Sequence, residues 1–266
     1  MVEDRIAPSV TLPKRILVTN DDSVHAAGLQ QLASALEAYF EVWVVAPDRE
    51  QSAQSHALTL HRPLRITTLG ERRFAVDGTP SDSVYLAVNH IMGRAVDLVI
   101  SGINHGANLG DDVAYSGTVS AAMEAVFMGL PAFAVSLAGQ APLNFEVAAE
   151  FACKLARHLF TTPLSGRTFL NVNVPNLPRD QIRGFRATRL GHRRYDYVVE
   201  EKVDPRGRNY YWIGGPELGF QDLRGSDCNA IQEGFISVTP LAPDLTDYNS
   251  LQDLRLEDSL FTGGQR

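Results

Sequence analysis

The sequence predicts an α/β fold, with a doubly wound, mostly parallel sheet, helices on both faces and β-hairpin extensions at the C-terminal end. Three observations predict it. Short β-branched runs alternate with helical patterns along the first 180 residues or so. Polar and glycine-rich segments follow several of these runs, as expected at the edge of an open sheet where ligands bind. Beyond that point the alternation stops, and short β-rich runs separated by Gly and Pro replace it.

The overall composition is typical of a globular protein. The chain has 266 residues, of which 44% are hydrophobic and 21% are charged, so it can bury a substantial core. A formal net charge of -7 argues against a general polyanion-binding surface, and we expect no stable complex with nucleic acid. The two cysteines, Cys153 and Cys228, lie far apart without a CxxC pattern, which indicates neither a zinc site nor a disulfide framework.

Neither a membrane span nor a signal peptide is predicted. The most apolar stretch, residues 121–139, is interrupted by Glu124, Gly129 and Pro131. The N-terminal residues include acids early and have no apolar core of signal-peptide length. We therefore expect a cytoplasmic protein.

The first three elements form a β-α-β unit. A buried parallel strand is predicted at residues 16–19, an amphipathic helix at 29–40 and a second strand at 41–46. Asp21 and Asp22 follow the first strand and so lie at the ligand-binding edge of the sheet. Adjacent carboxylates repel each other unless a cation lies between them, so one hypothesis is a divalent-metal site. The alternative is that both acids are ordinary turn and helix-capping residues.

The segment after the second strand, residues 49–61, is polar and rich in small side chains. Ser52 in this segment either caps a turn or faces the two acids across the crevice. Next along the chain, we expect a hairpin excursion from short strands at 63–68 and 74–76, and then a helix at 83–91.

A third core strand is predicted at residues 97–101, and the glycine-dense segment GINHGANLGDDVAYSGTVSAAMEA follows it. Glycines at this density let the backbone approach a ligand closely. Ser116, Gly117 and Thr118 precede a helix at 119–128, so hydroxyl and free N–H groups would point out of its N-terminus, an arrangement that binds phosphate. An ordinary Ser/Thr cap is the alternative. The segment matches neither a Walker A loop nor GxGxxG.

The later elements complete the core and then change in character. Strands at 132–136 and 169–174 and a helix at 146–160 continue the alternation. After them we expect hairpins that extend from the core, in these β-rich runs: 182–190, 195–201, 210–213 and 235–239.

We therefore divide the chain into three parts. We expect residues 1–14 to be an N-terminal leader, residues 15–180 the α/β core, and residues 181–266 the hairpin extensions and C-terminal tail. Aromatic side chains between residues 195 and 212 form either an oligomer surface or part of the core.

Three strand ends thus offer oxygen ligands to a single site. Asp21 and Asp22 supply carboxylates, the segment near Ser52 supplies hydroxyls, and the segment near Asn104 supplies amides. Such oxygen-only ligands suit Mg²⁺ or Mn²⁺ rather than zinc.

The chain closely resembles the SurE (survival protein E) family of metal-dependent 5'/3'-nucleotidases in five motifs that occur in the same order: ILVTNDD, APDREQSAQSHALTL, VDGTPSDSV, SGINHGANLGDDVAYSGTVSAAMEA and SVTPLAPDLT. The match spans residues 15–247. The resemblance implies a Rossmann-like core that hydrolyses nucleoside monophosphates, with breadth toward 3' positions and polyphosphate. It also implies homodimers or homotetramers formed through the C-terminal extensions.

The resemblance assigns roles to individual residues. It implies one divalent metal ion, Mg²⁺ or Mn²⁺, per subunit, and phosphate contacts from residues 116–118. Four residues match the family's metal ligands: Asp21, Asp22, Ser52 and Asn104. The chain departs from the family where Ser23 and Ala53 replace glycines, and if those glycines adopt φ > 0 the replacements are strained.

The mechanism we expect is metal-assisted hydrolysis of a phosphomonoester, in which the metal activates a water molecule and the helix N-terminus holds the phosphate oxygens. Asp21 or Asp22 orients or deprotonates that water. His105 either protonates the leaving oxygen or is a hydrogen-bonded loop residue. Asn108 is a further candidate phosphate ligand.

Other roles and functions stay open at this point. Asp111 and Asp112 are either hydrogen-bonding partners of the metal ligands or helix acids. Direct attack by Asp21 through an aspartyl-phosphate is one alternative. Phosphatases of the haloacid dehalogenase type need a DxD pattern and a later lysine, whereas the acids here are adjacent and no lysine lies near the third strand in the sequence. A third alternative is a sensor that binds nucleotide and metal without turnover.

Overall fold

The structure is a computed structural model and describes residues 13–196, 198–214 and 217–254. A nine-stranded sheet forms the centre of this part of the chain. The described residues form the following strands, nine of which belong to this sheet: β1 (Arg15–Thr19), β2 (Glu41–Pro47), β3 (Ile66–Gly70), β4 (Arg73–Val76), β5 (Leu98–His105), β6 (Ala132–Ala138), β7 (Phe169–Pro175), β8 (Phe185–Ala187), β9 (Arg193–Tyr195), β10 (Val198–Val203), β11 (Asn209–Gly214), β12 (Glu217–Phe220) and β13 (Ile236–Leu241). The sheet has the order β3-β4-β2-β1-β5-β6-β7-β13-β8. Its six strands from β4 to β7 are parallel.

Helices connect the parallel strands. They are α1 (Ala27–Glu37), α2 (Pro80–Leu86), α3 (Gly117–Phe127), α4 (Glu146–Thr161), α5 (Asp227–Gln232) and α6 (Tyr248–Asp253). A π-helical turn at Ala87–Ile91 continues α2, and single 3₁₀ turns occupy Gly110–Ala114 and Arg179–Gln181.

The helices cover both faces of the sheet, as the sequence predicts. Side chains alternate along β1, so Ile16 and Val18 join the core under α1 and α4, while Leu17 joins the core under α2 and α3. All three are fully buried. A parallel sheet buried on both faces is the reason why its strands are nearly continuous apolar runs in the sequence.

Two predictions in the first half of the chain need correction. The hairpin of β3 and β4 is not an excursion, because β4 pairs in parallel with β2 and so extends the main sheet. The strand predicted at 97–101 continues to His105, with a register shift against β6 between Ser101 and Asn104. Asn104 therefore lies at the end of a strand rather than in a free loop.

The C-terminal part is more closely joined to the core than the sequence suggests. The run 235–239, predicted as a hairpin extension, belongs to β13, which pairs antiparallel with β7 inside the main sheet. The run 195–201 is divided between β9, which pairs with β12, and β10, which pairs with β11. Only the β10–β11 hairpin is exposed along both described strands, as an extension would be.

Parts of the chain lie outside the described residues. They include most of the predicted leader, residues 1–12, and the last part of the tail, residues 255–266. Among the helices of the described part, none is long and apolar enough to cross a membrane.

The first turn of α1 packs directly on β5. A Cβ atom at Gly28 would lie 2.1 Å from the carbonyl oxygen of Ile103 and 3.1 Å from the ring of Phe145. Only glycine lets the helix approach the strand this closely, and the strand at that point leads into Asn104.

We expect Gly28→Ala to lower the free energy of unfolding by about 1–3 kcal/mol, because a backbone atom must move to make room for the new methyl group. Chemical denaturation measures the change. Gly70→Ala is the matched control, since a Cβ atom at Gly70 meets nothing within 4 Å. Equal stability of the two variants would contradict the close packing.

Candidate active site

The carboxyl ends of β1, β2 and β5 surround a cavity of about 380 Å³. It is lined by Asp21, Asp22, Glu50, Ser52, Ala53, Asn104, His105, Asn108, Asp112, Tyr115 and Ser116. All four predicted metal ligands therefore face one cavity. Of the predicted phosphate ligands, Ser116 and Asn108 line it, whereas Gly117 and Thr118 lie beside it, packed on Asp21.

Asp21 is buried beneath the start of α3. The Thr118 hydroxyl donates a hydrogen bond to its carboxylate, and a Cβ atom at Gly117 would lie 2.8 Å from the Asp21 Cβ. Burial raises the pKa of Asp21 to about 6, and the neighbouring Asp22 adds to the increase, while the bond from Thr118 opposes it. A bound cation would favour the charged form of this carboxylate.

Asp22 connects the end of β1 to the end of β5. Its carboxylate accepts a hydrogen bond of 3.0 Å from the His105 backbone N–H, and its Oδ1 lies 3.9 Å from His105 Nδ1. Burial raises the pKa of Asp22, and the two His105 contacts oppose this increase. The His105 ring packs against Phe145 with ring centroids 5.2 Å apart. These contacts hold the imidazole at the cavity.

Asn104 contacts the same Thr118 hydroxyl as the buried acid. Its Nδ2 donates to the Gly106 carbonyl at 2.9 Å, and its Oδ1 lies 3.2 Å from the Thr118 hydroxyl that also contacts Asp21. Gly102 permits the register shift that places Asn104 here, because its φ is 137° and a Cβ atom would lie 2.2 Å from the Val135 carbonyl oxygen.

The segment that contains Ser52 is anchored to the same site. The Gln51 N–H donates to the Asp21 carbonyl at 2.8 Å, and the Ser55 N–H donates to the Tyr115 carbonyl at 3.1 Å. Farther along, His56 Nε2 lies 2.6 Å from the buried Glu124 carboxylate of α3. Ser52 itself is exposed and donates to Glu50 at 2.8 Å.

The oxygen-bearing side chains at the cavity fit a hard divalent cation. Two carboxylates, a hydroxyl and an amide oxygen are ligands that Mg²⁺ and Mn²⁺ accept. In the described part of the chain, no cluster of three or more His, Cys, Asp or Glu side chains is placed to hold a metal. Asp21 and Asp22 bring the carboxylates to the cavity, and Ser52 and Asn104 bring neutral oxygens.

The N-terminus of α3 lies at the edge of the cavity. Ser116 is the N-cap, and its Oγ accepts a hydrogen bond of 3.1 Å from the Val119 N–H. The helix has 11 residues, and its dipole favours an anion at this end. Asn108 is engaged beneath the cavity, where its Nδ2 donates to Ser136 and its N–H donates to Asn173, each at 2.8 Å.

Several cavity residues were not predicted from the sequence as ligands. Glu50 contacts Ser52 and could have been found from its place in the same polar segment. Tyr115 lines the cavity next to the helix cap. Asp112 is held by the Tyr195 hydroxyl, which donates to it at 2.6 Å, and by Arg193, whose Nε lies 3.3 Å away. No local signal links Asp112 to that distant strand.

The two residues that replace glycines do adopt positive φ. Ser23 has a φ of 106° and Ala53 a φ of 58°, so the strain expected from these replacements is present in the fold. Ser23 is partly compensated, because its Oγ accepts a hydrogen bond of 3.3 Å from the His25 N–H. Ala53 has no side-chain polar group and offers the simpler test.

Comparisons with known proteins agree on one family. A family model described as "Survival protein SurE" matches residues 16–197. A protein named "5'-nucleotidase SurE" from Geotalea daltonii is 57% identical over 91% of this chain and 98% of its own length, and one from Geotalea uraniireducens is 56% identical over 92% and 99%. A solved structure titled "Crystal Structure of Sure Protein from Aquifex aeolicus" covers 90% of this chain and 98% of its own, with 40% identity and a TM-score of 0.82.

We expect Ala53→Gly to raise the free energy of unfolding by about 0.5–1 kcal/mol, since relief of left-handed strain exceeds the entropy lost by glycine. Denaturant titration checks it. Ala187→Gly is the control with the opposite expected sign, because Ala187 is exposed in β8 and does not adopt positive φ. A loss of stability at both positions would contradict strain at Ala53.

Proposed function

The chain belongs to the SurE family, and from this premise we propose that it is a metal-dependent phosphomonoester hydrolase that releases phosphate from nucleoside 5'-monophosphates. The observation that carries the proposal is the meeting of Asp21, Asp22, Ser52 and Asn104 at one cavity, next to the N-terminus of α3. Oxygen ligands for a cation beside a site for an anion are what phosphate hydrolysis requires. The relatives named 5'-nucleotidase support the same class of reaction.

We propose that the four oxygen-bearing side chains hold one Mg²⁺ or Mn²⁺ ion per subunit. When bound, a divalent cation neutralises phosphate charge and lowers the pKa of water. The buried Asp21 is the ligand that depends most on the cation, because burial disfavours its charged form. Thr118 orients it through the hydroxyl hydrogen bond.

Other protein groups orient the attacking water, bind the phosphate and protonate the leaving oxygen. The Asp22 Oδ2 accepts the His105 N–H, which leaves its Oδ1 to orient water and to receive a proton. Residues 116–118, at the positive end of the α3 dipole, contact the non-bridging phosphate oxygens. His105, kept at the cavity by Asp22 and Phe145, is placed to protonate the leaving oxygen.

A substrate panel tests the proposal. We expect the full chain with Mn²⁺ to release phosphate from AMP and GMP and to lose this activity in EDTA. The panel also includes 3'-monophosphates and polyphosphate, toward which we propose additional activity. Saturable nucleotide binding without any phosphate release would instead identify a sensor. The cytoplasmic location expected from the sequence is part of the same proposal.

We expect Asp21→Asn to reduce Mn²⁺-dependent phosphate release from AMP by about 100-fold or more, because loss of a ligand charge removes several kcal/mol of transition-state stabilisation. Calorimetry should show weaker Mn²⁺ binding, while circular dichroism shows an unchanged fold. Asp180→Asn is the control, since Asp180 is exposed and lies in the Arg179–Gln181 turn away from the cavity. Full activity of Asp21→Asn in EDTA would rule out the metal site.

We further propose that the extension at 181–266 joins subunits into a homodimer or homotetramer through the β10–β11 hairpin. Its described strands expose large apolar side chains, with Ile213 exposed by 91% and Trp212 by 63%. A lone two-stranded hairpin is only marginally stable in water, so a partner that covers this surface would stabilise it.

We expect Ile213→Asp to dissociate the oligomer, because a charge placed in an apolar interface is buried without a partner. Light scattering after size-exclusion chromatography measures the mass. Leu60→Asp is the control, as Leu60 is 89% exposed and lies outside the hairpin. A wild-type monomer, or an Ile213→Asp oligomer of unchanged mass, would contradict the hairpin interface.

A further inference from the structure

We propose that Tyr115 is the surface on which the nucleobase of the substrate stacks, so that it gives nucleotides a higher affinity than phosphomonoesters without a base. The inference rests on the proposed function and names the residue that would recognise the base at that site. It concerns substrate binding and leaves the chemical step to the groups described above.

The composition of the cavity wall identifies this residue. The lining side chains are carboxylates, amides and small groups, apart from Tyr115 and His105. The His105 ring already packs against Phe145 at 5.2 Å and lies beside Asp22. Tyr115 is 65% exposed, and no aromatic or cationic partner contacts its ring among the described residues. It therefore offers the free aromatic face that a base could cover.

The backbone places this ring next to the anion site. Tyr115 immediately precedes Ser116, the N-cap of α3. Its N–H donates to the Asp112 carbonyl at 3.0 Å, and its carbonyl accepts from the Ser55 N–H at 3.1 Å. The ring thus projects from a backbone held on both sides, one residue from the proposed phosphate position. In a nucleotide, the base is separated from the phosphate by one sugar.

An aromatic ring such as Tyr115 can stack on the base of a nucleotide. The face of an aromatic ring attracts any base, because every base has a π-face. Such a contact selects for the presence of a base rather than for its identity. Tyr115 would then lower the KM of all nucleotide substrates to a similar degree.

The test compares substrates that differ by the base. For Tyr115→Ala, we expect the KM for AMP and for GMP to rise by about 10-fold, with kcat nearly unchanged, and the KM for ribose 5-phosphate to stay at the wild-type value. Tyr115→Phe should retain the wild-type KM, since it keeps the ring. Tyr39→Ala is the matched control, because Tyr39 is 58% exposed and lies beyond the C-terminal end of α1, outside the cavity.

Three results would overturn the inference. They are an unchanged KM for AMP in Tyr115→Ala, an equal rise for AMP and ribose 5-phosphate, and a Tyr115→Phe variant as weak as Tyr115→Ala. Binding of the same two compounds, measured by calorimetry in EDTA, keeps the test independent of turnover. If the wild type released no phosphate, the proposed function would fail, while the binding comparison would still decide whether the base stacks on Tyr115.

Discussion

The burial of the Asp21 carboxylate under the start of α3 is the interaction on which the rest of the site depends. A carboxylate in this position needs partners, because burial disfavours its charged form and raises its pKa to about 6. Thr118 supplies a hydrogen bond, and the missing side chain of Gly117 supplies the space. The helix that would bind phosphate is thereby held against the acid that would bind the cation, so two opposite charges can meet at one edge of the sheet.

The C-terminal part of the chain holds the turn that precedes α3. Asp227, fully buried, accepts hydrogen bonds of 2.8 Å each from the N–H groups of Gly110, Gly191 and Cys228. The Tyr195 hydroxyl and Arg193 hold Asp112 at the cavity. These contacts fix the turn that leads into α3. The sequence pattern changes near residue 180, but the contacts that shape the cavity join residues on both sides of that point.

The correct predictions depend on local sequence patterns, whereas the wrong ones depend on how distant segments pair. Strands such as β1 and β6 are apparent from their nearly continuous apolar runs, since burial on both faces leaves a local signal. The pairing of β13 with β7 was missed, because a short alternating run looks the same in a hairpin and in a central sheet. The extension of β5 to His105 was also missed, since Gly102 is typical of a loop in sequence and permits a strand irregularity in the fold.

The sequence by itself determined the α/β class, because alternating apolar and helical patterns are local, and it placed oxygen-bearing residues at strand ends that the structure brings to one cavity. The tertiary structure alone decided that Asn104 and Asp21 share contacts with the Thr118 hydroxyl and that Asp112 is held by Tyr195. It also decided that Tyr115 is left exposed at the cavity. These are relations between segments far apart in the chain, and their geometry depends on strand register and helix packing, which no local pattern encodes.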